Sequence, residues 1–304
     1  MTGQGRRLSY RGRTVLLKSH RLLDGLHPHR PNSVAALRCA LSGGAEAVEF
    51  DIAPSRDGKF VLAHDTTLEH ETDGQGPLRV VTEAEFKRLR LRGGDEPAAS
   101  LADAVELLGA VERPVKVQLD LKETAPLSRG VAAALLDAIA PLRDRAEVSI
   151  IVGCMADWNL RLLRRLDPAL GVGLDFGLYL DVSAGSPERV NAYGYVDDHP
   201  LGSRRLLPVR DYLEDRLEVL LGLVPNAREI YLRKELLLRV LSDGVNPVAF
   251  IHGRRPGMVV DVWTFYADDA DVDAHLLAAL ESGADQITSP DAAVLAERFG
   301  ARWS

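Results

Sequence analysis

Residues 46–52 read Glu-Ala-Val-Glu-Phe-Asp-Ile. So short a run of β-branched and aromatic residues predicts a strand, and side chains alternate across a strand. Glu49 and Asp51 therefore share one face, opposite Val48, Phe50 and Ile52. Like charges held this close repel and are costly to desolvate, and a divalent cation with oxygen ligands, Mg²⁺ or Ca²⁺, is the usual remedy. Two solvated acids at a strand end are the alternative reading of the same residues.

Outward from this strand, short β-branched runs alternate with Ala/Leu-rich amphipathic ones along most of the 304 residues. About eight strands are expected, in the pattern of βα units around a parallel sheet, which suits one barrel-sized domain. Upstream, Val15–His20 reads as the first strand and Ser33–Ser42 as the helix after it, opened by Asn32 as N-cap and closed by Gly43 and Gly44. Downstream, the Asp57-Gly58 turn and the run Lys59–Ala63 predict a hairpin-like excursion, and Asp65–Ala99 an insertion. Regular alternation resumes with helix Leu101–Val111, strand Val115–Leu121, helix Ser128–Ala140, strand Glu147–Val152, helix Asp157–Leu166 and strand Val172–Phe176. Residues 177–205 show no period and read as a long loop holding Tyr193 and Tyr195, and a helix over Val209–Leu223 is expected to cap one end. Strand Glu229–Leu232, helix Glu235–Ser242, strand Met258–Phe265, helix Asp271–Ser282, strand Asp285–Thr288 and helix Asp291–Phe299 complete the chain.

Composition narrows the function classes. With 46% hydrophobic and 27% charged residues the chain can bury a core, which excludes wholesale disorder. The net charge of −7 argues against a nucleic-acid partner. No apolar stretch is long enough for a transmembrane helix and no signal sequence is visible, so a cytoplasmic location is expected. Cys39 and Cys154 form no disulfide framework. Nothing in the sequence bears on oligomeric state.

Three further element ends carry chemistry. Asp120 and Lys122 share a face at the carboxyl end of their strand, either as a metal ligand beside a phosphate clamp or as an ordinary ion pair. In a βα barrel such ends meet at one mouth. His20-Arg21 ends the first strand and His64-Asp65 the run after the hairpin, so two histidines could supply the acid and base of phosphate ester cleavage, with the Arg21 fork on phosphate. His27, His29 and His70 read as loop or surface residues.

Together these motifs resemble the glycerophosphodiester phosphodiesterase family, within the phosphatidylinositol-specific phospholipase C-like superfamily. His20-Arg21-Leu22 is similar to the family's His-Arg-Gly, Glu49-Phe50-Asp51 to Glu-x-Asp, and Asp120-Leu121-Lys122 to Glu-x-Lys. The run from His64 to Gly76 resembles His-Asp-x-x-Leu-x-Arg-x-Thr-x-Gly-x-Gly, and Trp263-Thr264-Phe265-Tyr266 resembles Trp-Thr-Val-Asn. The resemblance implies a (β/α)8 TIM barrel over residues 14–304, with an insertion at about 53–100 after the second strand and a flexible segment over 1–13. It implies one divalent cation, Mg²⁺ or Ca²⁺, on Glu49, Asp51 and Asp120, with His20 and His64 as acid and base. Arg21 and Lys122 would contact the phosphate and Trp263 the organic part of a small-molecule phosphodiester. The implied reaction is hydrolysis of a glycerophosphodiester to an alcohol and glycerol 3-phosphate, begun by a neighbouring substrate hydroxyl. Asp at position 120 keeps open a lyase that stops at a cyclic phosphate made from lysophospholipid or sphingomyelin-like substrates. The departures keep open a barrel that binds without turnover. Leu22 replaces the motif's Gly and is expected to crowd the backbone beside the phosphate. Arg30-Pro31-Asn32-Ser33 stands for Pro-Glu-Asn-Thr, so the acid is missing there, and His70 replaces the arginine of the long motif.

Overall fold

The computed structural model describes residues 6–180 and 208–303. Strand β1 (Arg7–Tyr10) leads into β2 (Arg13–Ser19), a 3-10 turn over His20–Leu22, helix α1 (Val34–Ser42), β3 (Ala47–Pro54) and β4 (Phe60–Val61). After α2 (Glu83–Phe86) and α3 (Leu101–Gly109) come β5 (Val115–Leu121), α4 (Arg129–Arg143), β6 (Val148–Cys154), α5 (Asp157–Leu166) and β7 (Gly171–Asp175). The chain resumes with α6 (Val209–Leu223), β8 (Glu229–Arg233), α7 (Lys234–Ser242), α8 (Pro247–Arg254), β9 (Val259–Trp263), α9 (Val272–Ser282), β10 (Gln286–Ser289) and α10 (Ala292–Phe299).

Strands β2, β3, β5, β6, β7, β8, β9 and β10 pair in parallel in that order, and the contact Ser19↔Val48 between β2 and β3 closes the ring. This is the (β/α)8 barrel. Each strand turns one row of side chains outward into the apolar layer beneath the helices: Val48, Phe50 and Ile52 on β3, Val117, Leu119 and Leu121 on β5. The other row faces the lumen, which is polar. Lys18 Nζ lies 2.9 Å from Asp261, whose carboxylate accepts the Thr288 hydroxyl at 2.7 Å. One layer further down, Lys116 pairs with Glu229 and donates to Gln286 at 2.8 Å. Two inward glycines make room for this filling: a Cβ on Gly153 would come within 2.9 Å of Asp120 and Gln118, and one on Gly173 would collide with the Tyr231 ring.

Several expectations are corrected. The leading segment is not loose throughout 1–13, because Arg7–Tyr10 pairs antiparallel with Arg13–Leu16 of β2, along the edge that β3 joins only higher up at Ser19. The N-cap of α1 is Ser33, whose hydroxyl accepts from the Ala36 amide at 3.0 Å; Asn32 does other work. Leu22 does not crowd the mouth. Its backbone takes the left-handed region at φ 69° and its side chain is buried in the main core. Burying a leucine is worth ~2 kcal/mol, enough to offset the roughly 1–2 kcal/mol cost of that conformation. Helix α6 is no end cap: it lies between β7 and β8 in chain order and packs on α8, a helix that the sequence pattern does not predict. Tyr193 and Tyr195 lie outside the described residues.

The insertion after β3 opens as a hairpin, with Ala53↔Val61 and Pro54↔Phe60 paired antiparallel. It carries its own apolar cluster, including Val61, Leu68, Leu78, Phe86 and Leu91, apart from the barrel's core. A capping box of Thr82 and Glu85 starts α2, and another of Ser100 and Asp103 starts α3. Cys39 and Cys154 are free thiols. Among the described residues no helix is long and apolar enough to cross a membrane.

Two glycine substitutions separate lumen packing from chain entropy. Gly173→Ala should lose about 1–3 kcal/mol by overpacking against Tyr231. Gly222→Ala, near the end of α6 with open space around its Cα, should gain up to ~1 kcal/mol. Denaturant unfolding of the two variants checks both signs.

Candidate active site

Parallel registry sets the acids. Asp51 of β3 lies beside Asp120 of β5, and Glu49 beside Gln118, so three carboxylates converge at the carboxyl ends of two neighbouring strands. Ligand oxygens of Glu49, Asp51 and Asp120 lie within 4.8 Å of one another. Two cationic side chains reach into the cluster. Lys122 Nζ is 2.9 Å from Asp51 and 2.5 Å from Asp120, and Arg21 Nε is 3.2 Å from Asp51.

The turn after β2 delivers both His20 and Arg21. Arg21 adopts φ 51°, and its amide N–H donates to Glu49 at 2.8 Å, which seats the turn on the acid cluster. His20 Nε2 lies 3.8 Å from the same carboxylate. His64 arrives from the insertion. Its Nδ1 meets Asp65 at 2.7 Å, so Nε2 is the atom left to face the mouth. The Glu71 carboxylate accepts the backbone N–H groups of His64 and Asp65 at 2.8 and 2.9 Å, which pins that loop.

These side chains line a pocket of about 190 Å³ that holds His20, Arg21, Glu49, His64, Asp120 and Lys122. Trp263, at the end of β9, and the half-exposed Tyr266 line the same pocket, and the indole N–H of Trp263 has no hydrogen-bond partner among the described residues. Asp51 is wholly buried beneath. His20, Arg21, Glu49, Asp51, His64, Asp120, Lys122 and Trp263 are thus brought to one place.

Electrostatics follow from burial. Glu49 is pushed up to about 8, first by burial and then by the charges of Asp51 and Asp120. Burial works the same way on Asp51, but Lys122 and Arg21 outweigh it and hold that acid far below the usual carboxylate range. Burial would lower Lys122, yet Asp120, Asp51 and Glu49 raise it well above its ordinary value. Burial holds His20 down at about 3, helped by the positive charges of Arg21 and Lys122. Three acids, two of them buried, form an all-oxygen donor set with one carboxyl driven toward neutrality by the other two, and that set fits a hard divalent cation. A second trio, Asp24, His27 and Cys39, already has the Arg6 guanidinium 3.4 Å from Asp24.

Two residues that position the site were not recognised from the sequence. Asn32 sits in the left-handed region at φ 55°, donates from Nδ2 to Asp51 at 2.8 Å, and accepts the Asp51 amide on Oδ1 at 3.1 Å. Its signal was redundancy: Ser33 next to it is an equally good cap, leaving the asparagine without a local task. Glu71 gave no such sign, since its partners are backbone amides.

The fold and part of the sequence are shared with proteins of known kind. The chain is 28% identical over 149 residues to the glycerophosphodiester phosphodiesterase of Caldanaerobacter subterraneus subsp. tengcongensis, covering 47% of this chain and 60% of that protein. It is 39% identical over 89 residues to glycerophosphodiester phosphodiesterase 1 of Rattus norvegicus, covering 27% of each. The match thus spans about three fifths of the first relative's length and about a quarter of the second's. A phosphodiesterase of Oleispira antarctica, solved with the product sn-glycerol-3-phosphate, superposes with a TM-score of 0.63 at 19% identity over 93% of this chain and 95% of that one. The glycerophosphodiester phosphodiesterase of Thermotoga maritima gives 0.60 at 18% identity over 93% and 98%. At these identities the likeness is one of fold. The model of the Glycerophosphoryl diester phosphodiesterase family matches residues 20–280, a span that opens on His20 and takes in every lining residue of the pocket except Thr288; the chain belongs to that family of phosphoric diester hydrolases.

Proposed function

We propose that this protein hydrolyses glycerophosphodiesters to an alcohol and glycerol 3-phosphate, with one divalent cation, Mg²⁺ or Ca²⁺, held by Glu49, Asp51 and Asp120. The observation that carries the proposal is the convergence of two histidines, three acids and two cationic side chains on one small pocket. When bound, the cation supplies electrostatic stabilisation of charge on the phosphoryl oxygens. Arg21 and Lys122 bind the phosphodiester and offset the charge that grows on it, with Asp51 and Asp120 fixing their positions. One histidine takes the proton of the neighbouring substrate hydroxyl as it attacks phosphorus and the other gives a proton to the departing alcohol oxygen, leaving a cyclic phosphate; water then opens the ring to glycerol 3-phosphate, with the two histidines exchanging roles. His20 is placed by the turn seated on Glu49, and His64 by Asp65 and Glu71. Trp263 and Tyr266 flank the organic part of the substrate, where the unbonded indole N–H is a donor in wait.

Phosphorus NMR with glycerophosphocholine, in Mg²⁺, in Ca²⁺ and with chelator, tests the reading. A cation-dependent linear phosphomonoester is expected; a cyclic phosphate that persists would make the protein a lyase, and no turnover with either cation would remove the proposal. Replacing His20 or His64 with Ala should lower kcat by about 10²-fold or more without loss of thermal stability. Asp51→Asn should weaken calorimetric cation binding, whereas Lys122→Ala should leave that affinity intact and raise KM or lower kcat. For Asn32→Ala we expect a fall in kcat together with weaker cation binding, because Asp51 loses two hydrogen bonds at once; wild-type values for both would show that Asn32 positions nothing.

A further inference from the structure

A second cavity, of about 320 Å³, opens beside the first and shares Arg21 with it. On one side lie Arg30, Pro31 and Asn32 from the loop before α1, and on the other His70 and Arg92 from the insertion. Both sides are tied to the catalytic groups. Asn32 is bonded to Asp51, and His70 Nδ1 meets the second oxygen of Asp65 at 3.0 Å, the carboxylate that holds His64. A phosphodiester seated on Arg21 would therefore direct one of its substituents into this space.

Two departures from the family motifs meet here. Pro31 stands at the glutamate of Pro-Glu-Asn-Thr and His70 at the arginine of the long motif, and both line the cavity. At each position a long charged side chain of the motif gives way to a shorter ring that lines the cavity.

The charge that remains is positive. Among the described residues neither Arg30 nor Arg92 forms an ion pair with a carboxylate; the Arg30 guanidinium donates to the carbonyl of Gly93. The neighbouring acids are already engaged: Asp65 by two histidines, Glu71 by two backbone amides. Glu96 accepts from His29 and from the Arg30 amide, and only its Oε2 is left without a partner. Two guanidinium groups thus line the cavity with neither charge matched by a carboxylate among the described residues. Guanidinium forks match carboxylate and phosphate oxygens in pairs of parallel hydrogen bonds.

We propose that this cavity is a subsite for an anionic group, carboxylate or phosphomonoester, on the alcohol portion of the substrate, and that Arg30 and Arg92 select for it. The inference rests on the first pocket being the phosphodiester site. Diesters with anionic headgroups are then turned over in preference to glycerophosphocholine.

The test compares kcat/KM for glycerophosphocholine, glycerophosphoserine and glycerophosphoinositol 4-phosphate in the unaltered protein and in the variants Arg30→Ala, Arg92→Ala and Arg92→Lys. Each alanine variant should lose about tenfold on the anionic diesters, mainly through KM, with less than about twofold change on glycerophosphocholine. Arg92→Lys should recover part of the loss, and the serine and inositol phosphate arms show which oxyanion is preferred. Equal losses on all three substrates, or none on the anionic pair, would overturn the subsite. Should the unaltered protein turn over none of them, the hydrolase reading fails by itself, and calorimetry still decides the subsite. For that arm glycerophosphoinositol 4-phosphate is titrated into the His20→Ala protein with and without Arg92→Ala. Tenfold weaker binding supports the subsite and unchanged binding refutes it.

Discussion

Lys18 is 1% exposed, and its ammonium is kept inside the barrel by Asp261 at 2.9 Å, by the Gln118 carbonyl and by the face of the Tyr231 ring. A buried charge without a partner costs several kcal/mol, so this pairing ties β2, β5, β8 and β9 to one another across the lumen. Gln118, Tyr231, Asp261 and Thr288 are also walls of the pocket above. The floor of the site is therefore a polar layer, in which the Tyr231 hydroxyl has no hydrogen-bond partner among the described residues, and the acids on top of it are held by hydrogen bonds and ion pairs. Truncating Lys18 would leave Asp261 charged, buried and short of its cation, and the disturbance would surface at the mouth.

Above that floor the geometry is a matter of registry and small residues. Because β3 and β5 run parallel and in step, Asp51 and Asp120 come side by side without any loop having to place them. The next strand offers Gly153 opposite Asp120, where any larger residue would press on the carboxylate. Loops supply the mobile chemistry instead: His20 and Arg21 ride on a left-handed turn, His64 on the insertion. This division, acids on strands and histidines on loops, is what a barrel mouth makes easy.

The sequence exposed most of this because its period is strong. Strand Val115–Leu121 and helices Asp157–Leu166 and Val209–Leu223 fall at their expected bounds, each with an unbroken apolar face. What escaped were features whose signal is not periodic. Strand Arg7–Tyr10 is four residues long with a charged start, and its pairing depends on an edge of β2 that only the closed barrel reveals. Helix Pro247–Arg254 is two turns long and follows another helix closely. Lys18 gave no hint of burial, since a lysine inside a strand usually points to water. The site residues were legible as types at element ends; Asn32 and Glu71 were not, because between them they bond three backbone amides, which carry no sequence signal, and the Asp51 carboxylate 19 residues from Asn32.

The insertion's separate apolar cluster has a consequence of its own. Of the two histidines in the pocket, His20 belongs to the barrel and His64 to a segment whose packing is largely internal. Regions with their own small core can open below the free energy of global unfolding. Hydrogen exchange in residues 60–99 is then free to run ahead of the barrel strands, and heating can silence the enzyme while the barrel is still folded. Selection can reshape that segment without disturbing the acids that β3 and β5 hold in place.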